Sequence, residues 1–254
     1  MADGLIITPT FNERDNVEAI SQAALATLPD TDYLFVDDNS PDGTGELLDR
    51  LAAADPRIHV LHRPGKQGLG RAYVAGFLWA LERTYSYVFE MDADFSHNPA
   101  ELPRLRAAAE KADLVLGSRF VGGIRITNWP LSRLMLSVCA ATYVRAITGM
   151  PFADPTGGFK CYRREVLEEI DVPTLRSNGY SFQIETLHRA WIRGFRVVEL
   201  PIVFEDRRSG VSKMNRSIVS EAFGLVGRLA LRSRFRRRPW GVHPRSVVRR
   251  ATPA

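Results

Sequence analysis

A chain of 254 residues, 45% hydrophobic and 25% charged, carries enough apolar side chains to bury a sizeable core, which excludes a disordered polymer. Its formal net charge is +5, yet nine arginines and no acidic residue lie between Arg228 and Arg250, so the basicity belongs to the C-terminal end and the body is acidic. An acidic body without a basic, aromatic-interleaved face is unsuited to nucleic acid, and Cys139 and Cys161, lacking Cys-x-x-Cys spacing, read as small core hydrophobes in a reducing, cytoplasmic compartment.

The N-terminus leads from Met1-Ala2-Asp3-Gly4 directly into a strand-like run, with no secretory signal expected. Apolar runs at Leu5–Thr8, Tyr33–Val36, Ile58–Leu61, Tyr87–Met91 and Leu114–Leu116 alternate with helical patterns near Val17–Leu28, Thr44–Ala54, Gly70–Glu82 and Pro99–Lys111. That rhythm predicts an α/β fold, a mostly parallel sheet flanked by helices. After Phe120 the order changes. Gly122-Gly123 opens a loop, and an acid-free helix follows at Leu131–Ile147. A hairpin-like segment at Thr156–Arg163, a helix at Phe182–Arg193, a strand at Val197–Phe204 and a last amphipathic helix at Ile218–Leu231 complete the pattern. No repeat or linker divides the chain: residues 1–235 read as one domain, and 236–254 as a basic, flexible tail.

In such a sheet ligands bind beyond the carboxyl ends of the strands. Polar clusters stand at three of them: Pro9-Thr10-Phe11-Asn12-Glu13, Asp37-Asp38-Asn39-Ser40 and Asp92-Ala93-Asp94. Side chains two apart on an extended backbone share a face. Asp92 and Asp94 can therefore converge on one hard cation, Mg²⁺ or Mn²⁺, of the kind that accompanies a diphosphate. Asp38 is suited to accept from a ribose or base, and Thr44 reads as a helix N-cap.

Pro9-Thr10-Phe11-Asn12-Glu13, Asp37-Asp38-x-Ser40-x-Asp42-Gly43-Thr44, Gly68-Leu69-Gly70, Asp92-Ala93-Asp94, Gly117-Ser118-Arg119, Asp154-x-Thr156-Gly157-Gly158-Phe159 and Arg207-x-x-Gly210-x-Ser212-Lys213 follow one another in an order that resembles family 2 glycosyltransferases, and among them the polyprenol (dolichol) phosphate mannosyltransferases. The likeness runs from about Leu5 to Leu231. It implies a GT-A (Rossmann-like) fold, GDP-mannose as donor, a divalent metal and a polyprenyl phosphate acceptor. By position it also implies that Pro9, Phe11, Glu13, Val36 and Asp38 hold guanosine, that Asp92, Ala93 and Asp94 face the diphosphate and metal, and that Arg119, Arg207 and Lys213 meet phosphates. Phe11 replaces a usual Tyr. Ser96 stands where Gln often completes the metal site, with His97 or water as substitutes.

The reaction expected is an inverting, metal-dependent transfer of mannose, with Asp92, Asp94 and Arg119 at the chemistry and Arg119, Arg133 and Arg207 on the acceptor phosphate. Glu185 reads as an orienting residue, and Lys66 and Arg71 equally as surface charges or donor contacts. No stretch approaches the roughly 20 apolar residues of a spanning helix. Helices at 131–148 and 215–235, the latter running into the arginines, instead suggest peripheral attachment to the cytoplasmic face of a membrane, aided by a membrane-spanning partner protein. The alternatives are a UDP-glucose-dependent polyprenyl phosphate glucosyltransferase, a sugar-nucleotide pyrophosphorylase, which would need a glycine-rich basic loop after the first strand, and a non-catalytic nucleotide-sugar or membrane-binding subunit.

Overall fold

Strand alternation decides the architecture. In β1 (Gly4–Thr10), Leu5 and Ile7 pack into one apolar cluster and Ile6 into another; in β2 (Thr31–Asp37), Leu34 and Val36 oppose Tyr33 and Phe35 in the same way. Strands that are apolar on both faces need helices on both. The computed structural model describes residues 2–205 and 224–231 and has that arrangement. In chain order the remaining elements are α1 (Val17–Thr27), α2 (Thr44–Ala54), β3 (Ile58–His62), α3 (Leu69–Leu81), β4 (Tyr87–Glu90), α4 (Leu102–Ala109), β5 (Leu114–Ser118), α5 (Leu131–Thr148), β6 (Lys160–Arg163), α6 (Arg164–Glu169), α7 (Gly179–Ile192) and β7 (Val197–Pro201).

The seven strands are ordered β3-β2-β1-β4-β6-β5-β7. All neighbours are parallel except those of β6, which runs antiparallel to both β4 and β5. The expected α/β class therefore holds, with helices α1, α2 and α4 contributing to one core cluster and α3, α6 and α7 to the other. The chain winds from β1 through β2 to β3 on one side, then returns to place β4 on the other side of β1. The carboxyl ends of β1 and β4 thus flank a topological switch point, where an open sheet leaves a crevice.

Local differences from the sequence reading have physical causes. The Thr156–Arg163 segment is not a hairpin: only Lys160–Arg163 is strand, and its partners are the distant β4 and β5. Gly43, not Thr44, is the N-cap of α2; Asp42 Oδ1 just before it accepts the Thr44 N–H at 3.0 Å, and the Thr44 hydroxyl accepts the Glu13 N–H at 3.1 Å and ties the β1 loop to the start of α2. Cys139 lies exposed on α5, whereas Cys161 is buried. The last helix is described over 224–231, where Leu225, Val226 and Leu229 are buried in the core and Leu231 is exposed.

Under the switch point lies a buried ion pair. Lys160 and Glu90 are opposite each other in the β4–β6 register, with Nζ 3.8 Å from Glu90 Oε2 and both side chains fully buried. Tyr162 donates to Glu90 Oε1 at 2.8 Å, and Lys160 donates to Thr186 Oγ1 at 3.1 Å and to both the main-chain and the side-chain oxygen of Gln183. Burial depresses the lysine pKa and raises that of the carboxyl, and each charge opposes the other's shift. Removing one partner leaves a buried charge uncompensated. We therefore expect Lys160→Met to cost about 3–5 kcal/mol in denaturant unfolding, and Lys160→Met combined with Glu90→Gln to cost clearly less; equal losses in both variants would contradict the pairing.

Candidate active site

A cavity of about 450 Å³ opens at the carboxyl ends of β1, β2 and β4. Pro9, Phe11, Glu13, Asp38, Asp92, Ala93, Asp94, Ser96, Arg119 and Arg133 all line it, so the structure brings together most of the residues picked from sequence. Val36 is not among them; its side chain is fully buried in the core behind the Asp38 turn. Arg207 and Lys213 lie outside the described residues.

The acidic pair sits on a turn beyond the strand end rather than on extended strand. β4 ends at Glu90, the chain turns at Ala93-Asp94, and Phe95 takes φ 61°, a left-handed conformation. Asp94 Oδ1 accepts the Ser96 N–H at 3.1 Å, which fixes the turn. The donors at this turn are oxygens, the chemistry of a hard divalent cation. Among the described residues no three His, Cys, Asp or Glu side chains converge on one point. Such a set fits an ion whose shell is completed by phosphate and water, as Mg²⁺-type sites commonly are. His97 is not disposed as a substitute ligand through Nδ1, which accepts the Asp92 N–H at 3.1 Å.

Of the paired aspartates after β2, Asp37 is structural. Its carboxylate accepts from Thr10 Oγ1 at 2.9 Å and from the Ser40 hydroxyl and N–H at 2.6 and 3.1 Å. Asp38 faces the cavity, held by Arg63 Nη1 at 2.6 Å. Burial raises the Asp38 pKa and Arg63 opposes it. Lys66, a residue sequence left undecided, lines the cavity with its ammonium 4.0 Å over the Phe11 ring, whereas Arg71 is spent on the Leu175 carbonyl at 3.2 Å. Gly68, at φ +98°, needs glycine for its backbone conformation, and Gly70 for packing: a Cβ on Gly70 would stand 2.2 Å from the Ser177 carbonyl. Glu185 is tied to Ser177 Oγ at 2.5 Å and Arg189 at 2.6 Å, and so secures that same segment.

Across the cavity, Arg119 is buried and held bidentately by Asp154 at 2.7 and 2.7 Å, with Thr156 Oγ1 accepting at 2.8 Å. Among the described residues, Nη1 is the guanidinium nitrogen outside this set of bonds. Asp154 is anchored in turn, its own N–H and that of Ala153 donating to Glu199 at 2.9 and 2.7 Å. Trp129 and Phe204 meet edge to face at 5.5 Å beside this pair, and the Arg133 guanidinium lies 4.0 Å from the Trp129 ring. Sequence reasoning missed Arg63, Trp129, Gln183 and the role of Asp154, and it offered His97 as a metal ligand, whereas its Nδ1 accepts the Asp92 N–H. Only Asp154, within Asp154-x-Thr156-Gly157-Gly158-Phe159, carried a signal, as part of a motif.

Residues 5–171 match the family model described as Glycosyl transferase family 2. The chain is 51% identical over 235 residues to a polyprenol monophosphomannose synthase of Mycolicibacterium smegmatis, covering 92% of this chain and 89% of that one. It is 47% identical over 231 residues to an undecaprenyl-phosphate mannosyltransferase of Micrococcus luteus, covering 91% and 95%. Among solved structures, the fold is similar to glucosyl-3-phosphoglycerate synthase from Mycobacterium tuberculosis in complex with Mn²⁺, UDP and glucosyl-3-phosphoglycerate (TM-score 0.62, 17% identity, covering 95% and 82%). It is also similar to a mannosyltransferase from Pyrobaculum calidifontis in complex with GDP-Man and Mn²⁺ (TM-score 0.53, 16% identity, covering 91% and 73%).

The Arg119–Asp154 pair has a pH signature. Burial alone would raise the Asp154 pKa, but the guanidinium and its hydrogen bonds outweigh burial and hold it below the ordinary value. The pair's stabilisation is therefore complete above the unfolded carboxyl pKa of about 3.9 and is lost as pH falls through the lower folded value. Asp154→Asn is expected to cost about 3–5 kcal/mol at neutral pH and to flatten the acid limb below about pH 4. Urea unfolding across that range checks both.

Proposed function

The chain belongs to glycosyl transferase family 2, and from that membership and the chemistry of its cavity we propose that it transfers mannose from GDP-mannose to a polyprenyl phosphate, forming polyprenyl phosphate β-mannose and GDP. The observation that carries this reading is the 51% identity to a polyprenol monophosphomannose synthase over 92% of the chain, the part that contains the acidic turn and Arg119. Pro9, Phe11, Glu13 and Asp38 hold the guanosine, with Val36 supporting that wall from the core. Asp92, Ala93 and Asp94 face the diphosphate and hold the divalent ion, Mg²⁺ or Mn²⁺, and the Ser96 N–H positions Asp94. When bound, that ion acts as a Lewis acid on the departing diphosphate. Arg119 and Arg133, with Arg207 and Lys213 as further contacts, orient the acceptor phosphate by charge-assisted hydrogen bonds.

An oxygen of the acceptor phosphate attacks the anomeric carbon. The new C–O bond forms as the bond to the β-phosphate oxygen breaks, and GDP leaves with that electron pair. Displacement from the opposite side inverts an α-linked donor to a β-linked product. A phosphate monoester has its second pKa near ~6, so the nucleophile is already largely ionised at neutral pH. No general base is then needed, which agrees with Glu185 being spent on Ser177 and Arg189.

The lipid half of the acceptor needs a bilayer nearby. No described helix is long and apolar enough to cross a membrane. α5 carries Leu131, Met135 and Leu136 at 70, 58 and 46% exposure, has no acidic residue, and brings Arg133 to the cavity from its first turn. An outward apolar face of this kind next to the acceptor end supports peripheral docking, with the basic C-terminal end adding attraction to anionic lipid. Both cysteines are free thiols, which suits the cytoplasmic face.

Incubation of the full chain with labelled GDP-mannose and a short polyprenyl phosphate in detergent should move label into lipid. Chelation should stop it, Mg²⁺ or Mn²⁺ should restore it, and Asp94→Ala should lower it by roughly 10²-fold or more. Label drawn from UDP-glucose instead would select the glucosyltransferase, and transfer that persists without metal would contradict the role of the acidic turn.

A further inference from the structure

Two uncharged hydrogen-bonding side chains line the cavity on either side of Gly158. The first is His97, 3% exposed, with its ring stacked on Phe159 at 4.9 Å and 9° and met edge-on by Phe204 at 5.7 Å. Its Nδ1 accepts the Asp92 N–H, so the proton of a neutral imidazole must sit on Nε2. The second is Gln183. The Lys160 ammonium has only donors to offer, so the atom it touches is the Gln183 side-chain oxygen, and the NH₂ end is turned away from it. Gln183 lines the cavity, so the NH₂ end, not the oxygen held by Lys160, is the end it can present there.

Gly158 lies between them. A Cβ there would stand 3.4 Å from Gln183 Nε2 and 3.6 Å from His97 Cε1, filling the space that both donors border. Cations suit phosphates, which the acidic turn's metal and Arg119 serve on either side. Uncharged N–H donors suit uncharged acceptors, and the group that must lie between a diphosphate and an attacking phosphate is the sugar ring with its hydroxyls.

We propose that His97 and Gln183 form a subsite that grips hydroxyl oxygens of the transferred hexose and so selects which sugar is moved. The assignment rests on the transferase reading above. Lys160 and the Asp92 main chain are positioning groups for it: one fixes which end of the Gln183 amide faces the sugar, the other fixes which nitrogen of His97 carries the proton.

The test is calorimetric titration of the full chain, with Mn²⁺ present, by GDP and by GDP-mannose. Wild type is compared with His97→Asn, which keeps an oxygen to accept the Asp92 N–H, and with Gln183→Met, which removes the amide. Either variant suffices if the other does not fold, and retained GDP binding reports folding. Each should keep its GDP affinity within about twofold while its GDP-mannose affinity falls about three- to tenfold, the scale of one lost neutral hydrogen bond. Preference for GDP-mannose over GDP-glucose in transfer should narrow in parallel. Equal weakening toward both nucleotides, or an unchanged affinity for GDP-mannose, would overturn the subsite alone. A wild-type chain that binds neither nucleotide would overturn the transferase reading beneath it.

Discussion

Everything at the site depends on where β4 lets go of the sheet. Its four residues are paired on both sides, with β1 in parallel and with β6 in antiparallel register, and the last of them, Glu90, is locked to Lys160 and Tyr162. Two residues further on the chain has left its partners and turned. Asp92 and Asp94 therefore emerge at a fixed place on the rim without being shielded by a ladder of backbone hydrogen bonds. A longer β4 would alternate these side chains across the sheet. A looser one would spread two carboxylates that a divalent ion needs close together.

The same economy governs charge. Three buried or nearly buried ion pairs frame the cavity: Glu90 with Lys160 beneath it, Asp38 with Arg63 beyond the end of β2, and Asp154 with Arg119 beyond the end of β5. Each neutralises itself inside the protein, as a low-dielectric interior requires. Around these pairs, Arg119, Asp38 and the acidic turn all line the cavity. Groups held in place this way leave little ordering to be done when a ligand binds.

Much of this was legible in the sequence. Polar clusters directly after apolar runs mark strand ends, and in an α/β sheet the strand ends share a rim, so Pro9, Glu13, Asp38 and Asp92 could be brought together on paper. Partners distant in sequence could not. Arg63 reaches Asp38 across 25 positions and Asp154 reaches Arg119 across 35, and no local pattern encodes either. Thr156–Arg163 looked like a hairpin because local alternation says nothing about which strand will be the neighbour. The apolar spacing of α5 announced a hydrophobic face but not whether protein would cover it, which is why Cys139 read as core and lies exposed. The spacing of Gly68 and Gly70 gives no hint of their neighbours, and only the structure shows Gly70 pressed against the Ser177 carbonyl.

The central claim is that the acidic turn makes half a metal site, which the nucleotide diphosphate completes. It is tested most directly by the affinity of the full chain for GDP, measured with Mn²⁺ and again with chelator, for wild type and for a chain carrying Asp92→Asn and Asp94→Asn. The account predicts that wild type binds GDP far more tightly with the ion than without, and that the substituted chain binds weakly and indifferently to the ion. Wild-type affinity for GDP that does not change on chelation would contradict it.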